Sequence, residues 1–166
     1  IDPKVKIELL TPDFQGSLTA LRTVLDSGPD IFSHNIETVD RLYPEIRFKS
    51  DYKVSFSLLR FAHDAGTVPF TKTGMMVGLG EEWDEIVQVM SDADTAGVDI
   101  MTIGQYLQPT PRHHAIERYY TPDEFVELGD IGREMGIRWI FSGPLVRSSY
   151  HAENVFGDMM TATSRA

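Results

Sequence analysis

The chain of 166 residues contains no cysteine, which excludes disulfides and thiolate metal ligands from its own sequence. It also has few basic residues, since 15 Lys and Arg stand against 25 Asp and Glu, for a net charge of -10. That balance argues against nucleic acid and anionic membranes, because both attract basic surfaces. No apolar run is long enough to cross a bilayer, and no secretory signal pattern opens the sequence. We therefore expect neither a nucleic-acid nor a membrane partner.

Short apolar runs alternate with segments of helical periodicity along the chain. The runs predict strands at 5–10, 31–36, 70–79, 99–107 and 139–146. Between them, the patterns predict helices at 18–25, 39–48, 51–66, 81–96 and 121–136. Asp51 is suited to an N-cap, and Thr121-Pro122-Asp123-Glu124 has the form of a capping box with proline at the first helical position.

Alternation of this kind indicates an α/β fold with a parallel sheet. A complete eightfold barrel usually needs about 250 residues, and this chain provides roughly five βα units. The sequence therefore predicts either a small doubly wound domain or part of a barrel. No internal linker or low-complexity segment divides it, so we expect one structural unit.

Polar residues follow every predicted strand. They are Asp13 after the first, 33–37 at the second, Lys72 and 74–81 at the third, Gln105, Gln108 and 112–114 at the fourth, and Ser142 and 147–150 at the fifth. Parallel sheets carry their chemistry at the carboxyl ends of the strands. Five polar ends at one edge predict the mouth of an active site.

Each candidate residue has a structural interpretation as well as a functional one. Asn35 and Glu37 suit a pair of ribose hydroxyls or a carboxylate that holds a turn. Lys72 could form a Schiff base, or a buried ion pair with Glu37 or Glu81. Gly74, Gly78 and Gly80 permit close approach to a ligand or a tight turn. The pair His113-His114 favours a solvated or substrate-facing role over a metal site, because no HxxxH spacing accompanies it.

The segment Val146-Arg147-Ser148-Ser149-Tyr150-His151-Ala152 is open to three interpretations. Its two serines could cap a helix, bind an anion or offer a hydroxyl oxygen to a metal. On the pattern alone, capping serines are the preferred interpretation.

Taken together, five blocks of the sequence resemble lipoyl synthase, a radical S-adenosylmethionine enzyme. They are LTPDF at 10–14, SHNIETV at 33–39, TKTGMMVGLGE at 71–81, TIGQYLQP at 102–109 and SGPLVRSSYHA at 142–152. The resemblance runs from about Val5 to Ala152, with the blocks in the family's order and spacing.

The resemblance implies a radical sulfurtransferase of lipoate biosynthesis. The family inserts two sulfur atoms into an octanoyl chain carried on a lysine of a lipoyl carrier protein, a lipoyl domain or H protein. One [4Fe–4S] cluster cleaves S-adenosylmethionine to a 5′-deoxyadenosyl radical, and a second, auxiliary cluster donates the sulfur. Nine positions are implied to contact the cofactor: Asn35, Glu37, Lys72, Gly74, Gly78, Glu81, Gln105, Gln108 and Arg147. Ser149 is implied to ligate the auxiliary cluster through its oxygen, with Ser148 as the less favoured choice.

The chain departs from the family in lacking both cysteine triads, which in the family lie upstream of the region that matches. The resemblance therefore implies the carboxyl-terminal part of the enzyme: a partial barrel over 1–152 without its first strands, and a tail over 153–166. Such a chain is expected to assemble neither cluster and to be inactive alone. It is also expected to expose a sheet edge at 5–10. The compartment would be the cytoplasm in a bacterium, or the mitochondrion or plastid in a eukaryote.

Two other classes of function stay open at this point. One is an aldolase-like barrel enzyme that uses Lys72 as its Schiff-base residue. The other is a non-catalytic module that binds a carrier protein or a second chain that supplies cysteines.

Overall fold

The computed structural model describes residues 5–148, which form five strands and five α-helices with at least one helix between successive strands. The strands are β1 (Glu8–Leu10), β2 (Ile31–Ser33), β3 (Phe70–Val77), β4 (Ile100–Gln105) and β5 (Trp139–Gly143). The helices are α1 (Leu18–Leu25), α2 (Tyr43–Ile46), α3 (Tyr52–Ala65), α4 (Trp83–Thr95) and α5 (Pro122–Met135). Two 3-10 turns, Phe14–Gly16 and Asp40–Leu42, lie in the connections.

Local capping residues set the ends of the longer helices. Asp51 caps α3 by accepting from the Val54 N–H, and Gly66 ends that helix in a left-handed conformation. At α5, Thr121 and Glu124 form a reciprocal capping box, as the sequence predicts. These helix boundaries are confirmed because hydrogen bonds between near neighbours in the sequence determine them.

The five strands form one parallel sheet in the order β1-β2-β3-β4-β5. Crossovers between parallel strands are right-handed, so a sheet that follows chain order carries its helices on one side. Doubly wound sheets instead reverse their strand order. The partial barrel is therefore confirmed, and the doubly wound alternative does not apply.

The two faces of the sheet are buried differently. On the outer face, Met75, Val77, Met101 and Ile103 join the large core beneath the helices. On the inner face, a smaller cluster forms at the amino end of the strands, from Ile31, Ile100, Phe70, Trp139 and Phe141. This small cluster closes the amino end of the inner face and leaves the carboxyl end for polar residues.

One buried ion pair crosses the inner face above this cluster. The Lys72 Nζ lies 2.9 Å from Glu8 Oε2, and only 3% of the lysine side chain is exposed. The pair spans from β3 to β1, over the intervening strand β2. An ion pair was one of the two interpretations of Lys72, but its partner is Glu8 and neither Glu37 nor Glu81.

β1 forms one edge of the sheet in the described part of the chain. Val5, Ile7 and Leu10 have large exposed side chains there. The strand itself is shorter than predicted, since its ladder to β2 pairs only Glu8–Leu10. β2 also ends early, at Ser33, because the residues after it leave the regular ladder to form the site described below. No helix in residues 5–148 is both long and apolar enough to cross a membrane.

We expect Ile86→Ala to lower the free energy of unfolding by about 2–5 kcal/mol, because the side chain is fully buried between α4 and the sheet. Urea unfolding followed by circular dichroism measures the change. Val126→Ala on the exposed face of α5 is the control and should change stability by less than about 0.5 kcal/mol. Equal losses in the two variants would contradict the proposed core.

Candidate functional site

The segment from Asn35 to Glu37 crosses the carboxyl end of β3 at very short range. The Ile36 and Glu37 N–H groups both donate to the Gly74 carbonyl at 3.0 Å, and the Met76 N–H donates to the Glu37 carbonyl at 2.8 Å. Glu37 adopts a left-handed backbone with φ of 69°, which few residues other than glycine adopt. Strain of this kind persists where the surrounding hydrogen bonds hold it, and it concentrates at functional sites.

Asn35 lies at the centre of this crossing. Its side-chain N–H donates to Glu37 Oε1 at 3.2 Å, and its backbone carbonyl accepts from the Arg47 guanidinium. Its Oδ1 is buried and has no hydrogen-bond partner among the described residues. A buried acceptor without a partner costs free energy, so this oxygen is ready to receive a donor from a ligand.

Two cavities lie on either side of Asn35 and Glu37. The first, of about 200 Å³, is lined on its sheet side by residues of β3 and β4, and on its other side by the segment after β5. Its lining residues are Asn35, Glu37, Gly74, Met75, Met76, Thr102, Gly104, Val146, Arg147 and Ser148. The second, of about 270 Å³, is lined by Asn35 and Glu37 again, together with Leu10, Thr11, Pro12, His34 and Arg47. Both open at the carboxyl edge of the sheet, as the polar strand ends predict.

Glycines on the inner face allow the segments around the first cavity to lie close to the sheet. A Cβ on Gly74 would lie 2.5 Å from Thr102 Oγ1 and 3.2 Å from Asn35 Oδ1. A Cβ on Gly104 would overlap the Val146 carbonyl and lie 3.2 Å from Arg147 Nη1. Since real Cβ contacts are not that short, both positions require glycine for close backbone approach.

Glu81 and Gly78 form the turn that follows β3. The two carboxylate oxygens of Glu81 accept from the Gly78 and Leu79 N–H groups at 2.6 and 2.9 Å. Gly78 has φ of 103°, and a Cβ there would collide with the Gln105 side chain. The buried carboxylate of Glu81 is thus bound to its own turn, and neither residue is among those that line the first cavity.

Gln105 and Gln108 bind the long loop between β4 and α5. The Gln105 amide donates to the Arg118 carbonyl at 3.1 Å and accepts from the Tyr120 N–H at 3.0 Å. The Gln108 amide donates to the His113 carbonyl at 2.8 Å. Both side chains therefore use hydrogen bonds to hold the loop that borders the mouth of the site.

Of the residues predicted for the cofactor, the structure brings four together around the first cavity: Asn35, Glu37, Gly74 and Arg147. Lys72 extends to Glu8 instead, and the remaining four hold the turn and the loop. The residues that line the cavities without having been predicted for the site include Thr102, Gly104 and Arg47. Thr102 and Gly104 share the inner face of β4 with Ile100, so strand alternation could have indicated them. No local pattern marks Arg47, which reaches Asn35 from beyond α2.

The predicted cluster ligand, Ser149, lies outside the described residues, as does the predicted tail. Its neighbour Ser148 is half-buried and lines the first cavity. Within residues 5–148, no three His, Asp or Glu side chains are close enough together to hold a metal ion.

His34 lies buried behind the site. Its Nδ1 lies 2.9 Å from the Thr11 carbonyl, which only accepts, and its Nε2 lies 3.1 Å from Ser55 Oγ, whose O–H can donate. Burial lowers the pKa of His34 below its ordinary value of 6.5, and the nearby Arg47 charge lowers it further. The neutral ring connects the end of β1 to α3.

A family model described as the Radical SAM superfamily matches residues 1–93. That match covers more than half of the chain. The chain belongs to the radical SAM superfamily.

Curated relatives of this radical SAM chain include lipoyl synthases from several bacteria. The protein of Rubrobacter xylanophilus is 53% identical over 150 residues, which are 90% of this chain and 47% of the relative. That of Hydrogenovibrio crunogenus is 50% identical over 91% of this chain and 48% of the relative. That of Caldanaerobacter subterraneus is 46% identical, over 91% of this chain and 53% of the relative. The chain thus spans about half the length of the curated relatives it matches.

Solved structures show the same fold at low identity. Streptococcus suis SuiB bound to S-adenosylmethionine superposes with a TM-score of 0.61 at 9% identity, over 90% of this chain and 35% of that one. SuiB bound to its precursor peptide SuiA gives a TM-score of 0.60 at 11% identity, over 84% of this chain and 32% of that one. At these identities the likeness concerns the fold alone.

We expect Glu81→Gln to speed hydrogen exchange at the Gly78 and Leu79 amides and to lower stability by about 1–3 kcal/mol. The amide side chain keeps one acceptor but places an N–H against a backbone N–H. Exchange measured by mass spectrometry or NMR tests this. Glu127→Gln on the exposed side of α5 serves as the control and should leave both amides unchanged.

We expect acid to destabilise the fold partly through His34. Because its folded pKa is lowered, its contribution is fully present above about pH 6.5 and is lost as pH falls toward the folded pKa. The slope from this residue is at most about 1.4 kcal/mol per pH unit. Urea unfolding as a function of pH measures it. His34→Gln should lack this part of the slope, and an identical slope in both proteins would contradict the assignment.

Proposed function

We propose that this chain forms the S-adenosylmethionine-binding half of a lipoyl synthase, a sulfurtransferase of lipoate biosynthesis. The proposal joins two supports: identity of about 50% to lipoyl synthases over nine-tenths of the chain, and a site of suitable chemistry. The observation that carries it is the buried, unpartnered Asn35 Oδ1 beside Glu37 and above Gly74, at the carboxyl edge of the sheet.

The described residues fit S-adenosylmethionine. A ribose offers two neighbouring hydroxyls, each of which donates and accepts, and Asn35 and Glu37 present adjacent acceptors to them. Gly74 and Gly104 line the first cavity, and they let Asn35 and the segment after β5 lie close to the sheet around the space proposed for the nucleoside. Arg147 borders the same cavity with a positive charge. In the proposed enzyme the bound cofactor supplies the radical that removes hydrogen from an unactivated C–H bond.

The described residues do not fit an iron–sulfur cluster by themselves. The chain has no cysteine, and residues 5–148 hold no close group of other metal ligands. In the proposal, the thiolate ligands of both clusters come from outside these 166 residues, and this chain alone is inactive. We retain Ser149 as the proposed oxygen ligand of the auxiliary cluster.

The residues of this chain then have three kinds of role. Asn35, Glu37, Gly74 and Arg147 contact the cofactor in the proposal. Glu81, Gly78, Gln105 and Gln108 shape the turn and loop around it through the backbone hydrogen bonds already described. We propose Lys72 as a residue that stabilises the wall beneath the site, because its amine is paired with Glu8 in the interior.

That pairing weighs against the aldolase-like alternative. A Schiff-base lysine must present its amine to a substrate, whereas Lys72 Nζ contacts the Glu8 carboxylate and its side chain is almost fully buried. The proposed substrate is an octanoyl chain on a lipoyl domain or H protein. The proposed compartment is the cytoplasm, by analogy with bacterial relatives.

A chimaera tests the function. This chain replaces the matching stretch of the Rubrobacter xylanophilus relative, and the product is reconstituted with iron and sulfide under reducing conditions. With S-adenosylmethionine and a short octanoyl-lysyl peptide, we expect two sulfur atoms to appear in the peptide by mass spectrometry. Cofactor cleavage without sulfur insertion would contradict the proposed reaction.

In the same chimaera we expect Asn35→Ala to weaken S-adenosylmethionine binding about tenfold, since an acceptor to the cofactor is lost. Isothermal titration measures the dissociation constant. Gln88→Ala removes an amide of similar size from the exposed face of α4 and should leave the constant unchanged. If Asn35→Ala binds the cofactor as tightly as the parent, the proposed contact is wrong.

A further inference from the structure

The connection between β4 and α5 is a long loop, 106–121, without secondary structure of its own. Loops of this length in compact domains are either functional or disordered. Hydrogen bonds on the inner side of this one show that it is ordered. Tyr106 Oη donates to the His114 carbonyl at 2.8 Å, and the Glu117 N–H donates to the Gly78 carbonyl at 2.9 Å.

His114 adds a further attachment for the loop. Its ring nitrogens lie 3.0 Å from the Leu79 carbonyl and 2.9 Å from Glu45 Oε1, so the ring connects the loop to the turn after β3 and to α2. The loop is therefore fixed to both of its neighbours at the carboxyl edge of the sheet. A surface fixed in this way loses little conformational entropy when a partner binds.

The outer side of the loop exposes apolar and aromatic side chains and one arginine, unpaired among the described residues, in a strongly acidic chain. The charged residues of the loop are Arg112, Glu117 and Arg118, of which Arg118 is paired with Glu124, whereas the whole chain has a net charge of -10. Leu107 and Tyr119 are 48% and 67% exposed. Pro109, Pro111 and Arg112 are exposed with them, and no described residue forms an ion pair with Arg112. Exposed tyrosine, arginine and apolar side chains together are typical of protein interfaces.

We propose that this outer side, named here the loop surface (Leu107, Pro109, Pro111, Arg112 and Tyr119), docks an acidic face of the protein domain that carries the acyl-lysine substrate. The inference rests on the proposed function and specifies its partner contact. Gly104, which lines the first cavity, precedes the loop by two residues. A domain held on the loop surface therefore has its modified lysine within reach of the site. The basic charge selects an acidic partner, since the rest of this chain repels one.

The test compares a large and a small substrate in the chimaera described above. The substrates are an octanoylated lipoyl domain and a short octanoyl-lysyl peptide that lacks the folded surface of the domain. We expect Arg112→Glu to raise the KM for the domain about tenfold and to leave kcat and the KM for the peptide unchanged. Tyr119→Ala should act in the same direction.

Arg138→Glu is the matched control. Arg138 is also an exposed arginine, but it precedes β5 at the amino edge of the sheet, where it stacks on Trp139. This variant should leave both KM values unchanged. With the parent protein, the KM for the domain should rise with salt, and it should rise less in Arg112→Glu.

Other results overturn the inference. An unchanged KM for the domain in both Arg112→Glu and Tyr119→Ala would contradict the docking surface. An equal increase in KM for the domain and for the peptide would contradict it too. Titration of the domain onto the chimaera without turnover separates this inference from the proposed function. A parent that binds the domain through Arg112 but inserts no sulfur contradicts the function alone. A parent that modifies both substrates, with variants that do the same, contradicts the docking surface alone.

Discussion

The close approach of residues 35–37 to β3 is the constraint on which the site depends. The Ile36 and Glu37 N–H groups both donate to the Gly74 carbonyl, and the Met76 N–H donates to the Glu37 carbonyl. These hydrogen bonds hold the segment to the strand without a regular ladder. This geometry requires glycine at position 74 and a left-handed backbone at Glu37. It also leaves Asn35 Oδ1 buried without a partner among the described residues, so a donor from a ligand or an ordered water would lower its free energy.

The polar residues at the carboxyl edge divide into two groups according to their hydrogen bonds. Glu81, Gln105 and Gln108 use their side chains on nearby backbone groups and so fix the turn and the loop. Asn35, Glu37 and Arg147 line the first cavity, where Asn35 donates to Glu37 and Arg147 donates to the Val146 carbonyl. The residues that fix the turn and the loop also fix the positions of the cavity-lining residues, because a binding side chain is placed by the backbone that carries it. A larger cavity of about 660 Å³ between α3 and α4 lacks this arrangement and lies away from the strand ends.

Charged and polar groups are distributed unevenly over the molecule, and the polar cavities lie at the carboxyl edge of the sheet. Acidic residues dominate the chain, whereas residues 106–116 of the loop after β4 include none. The inner face of the sheet likewise changes along its length, from an apolar cluster at the amino end, through the Lys72–Glu8 pair, to the polar cavities at the carboxyl end. Along the inner face, apolar side chains are therefore replaced by polar groups and cavities toward the carboxyl edge.

The sequence by itself determined the alternation of strands and helices, the caps at Asp51 and Thr121, and the polar strand ends. These features follow from periodicity and from hydrogen bonds between residues close in the chain. Only the tertiary structure decided which polar residues meet. It paired Lys72 with Glu8 rather than Glu37, bound Glu81 to its own turn, and brought Arg47 and Gly104 to the site. Such choices depend on distances between residues far apart in the chain, which strand register and sheet curvature set and which no local pattern contains.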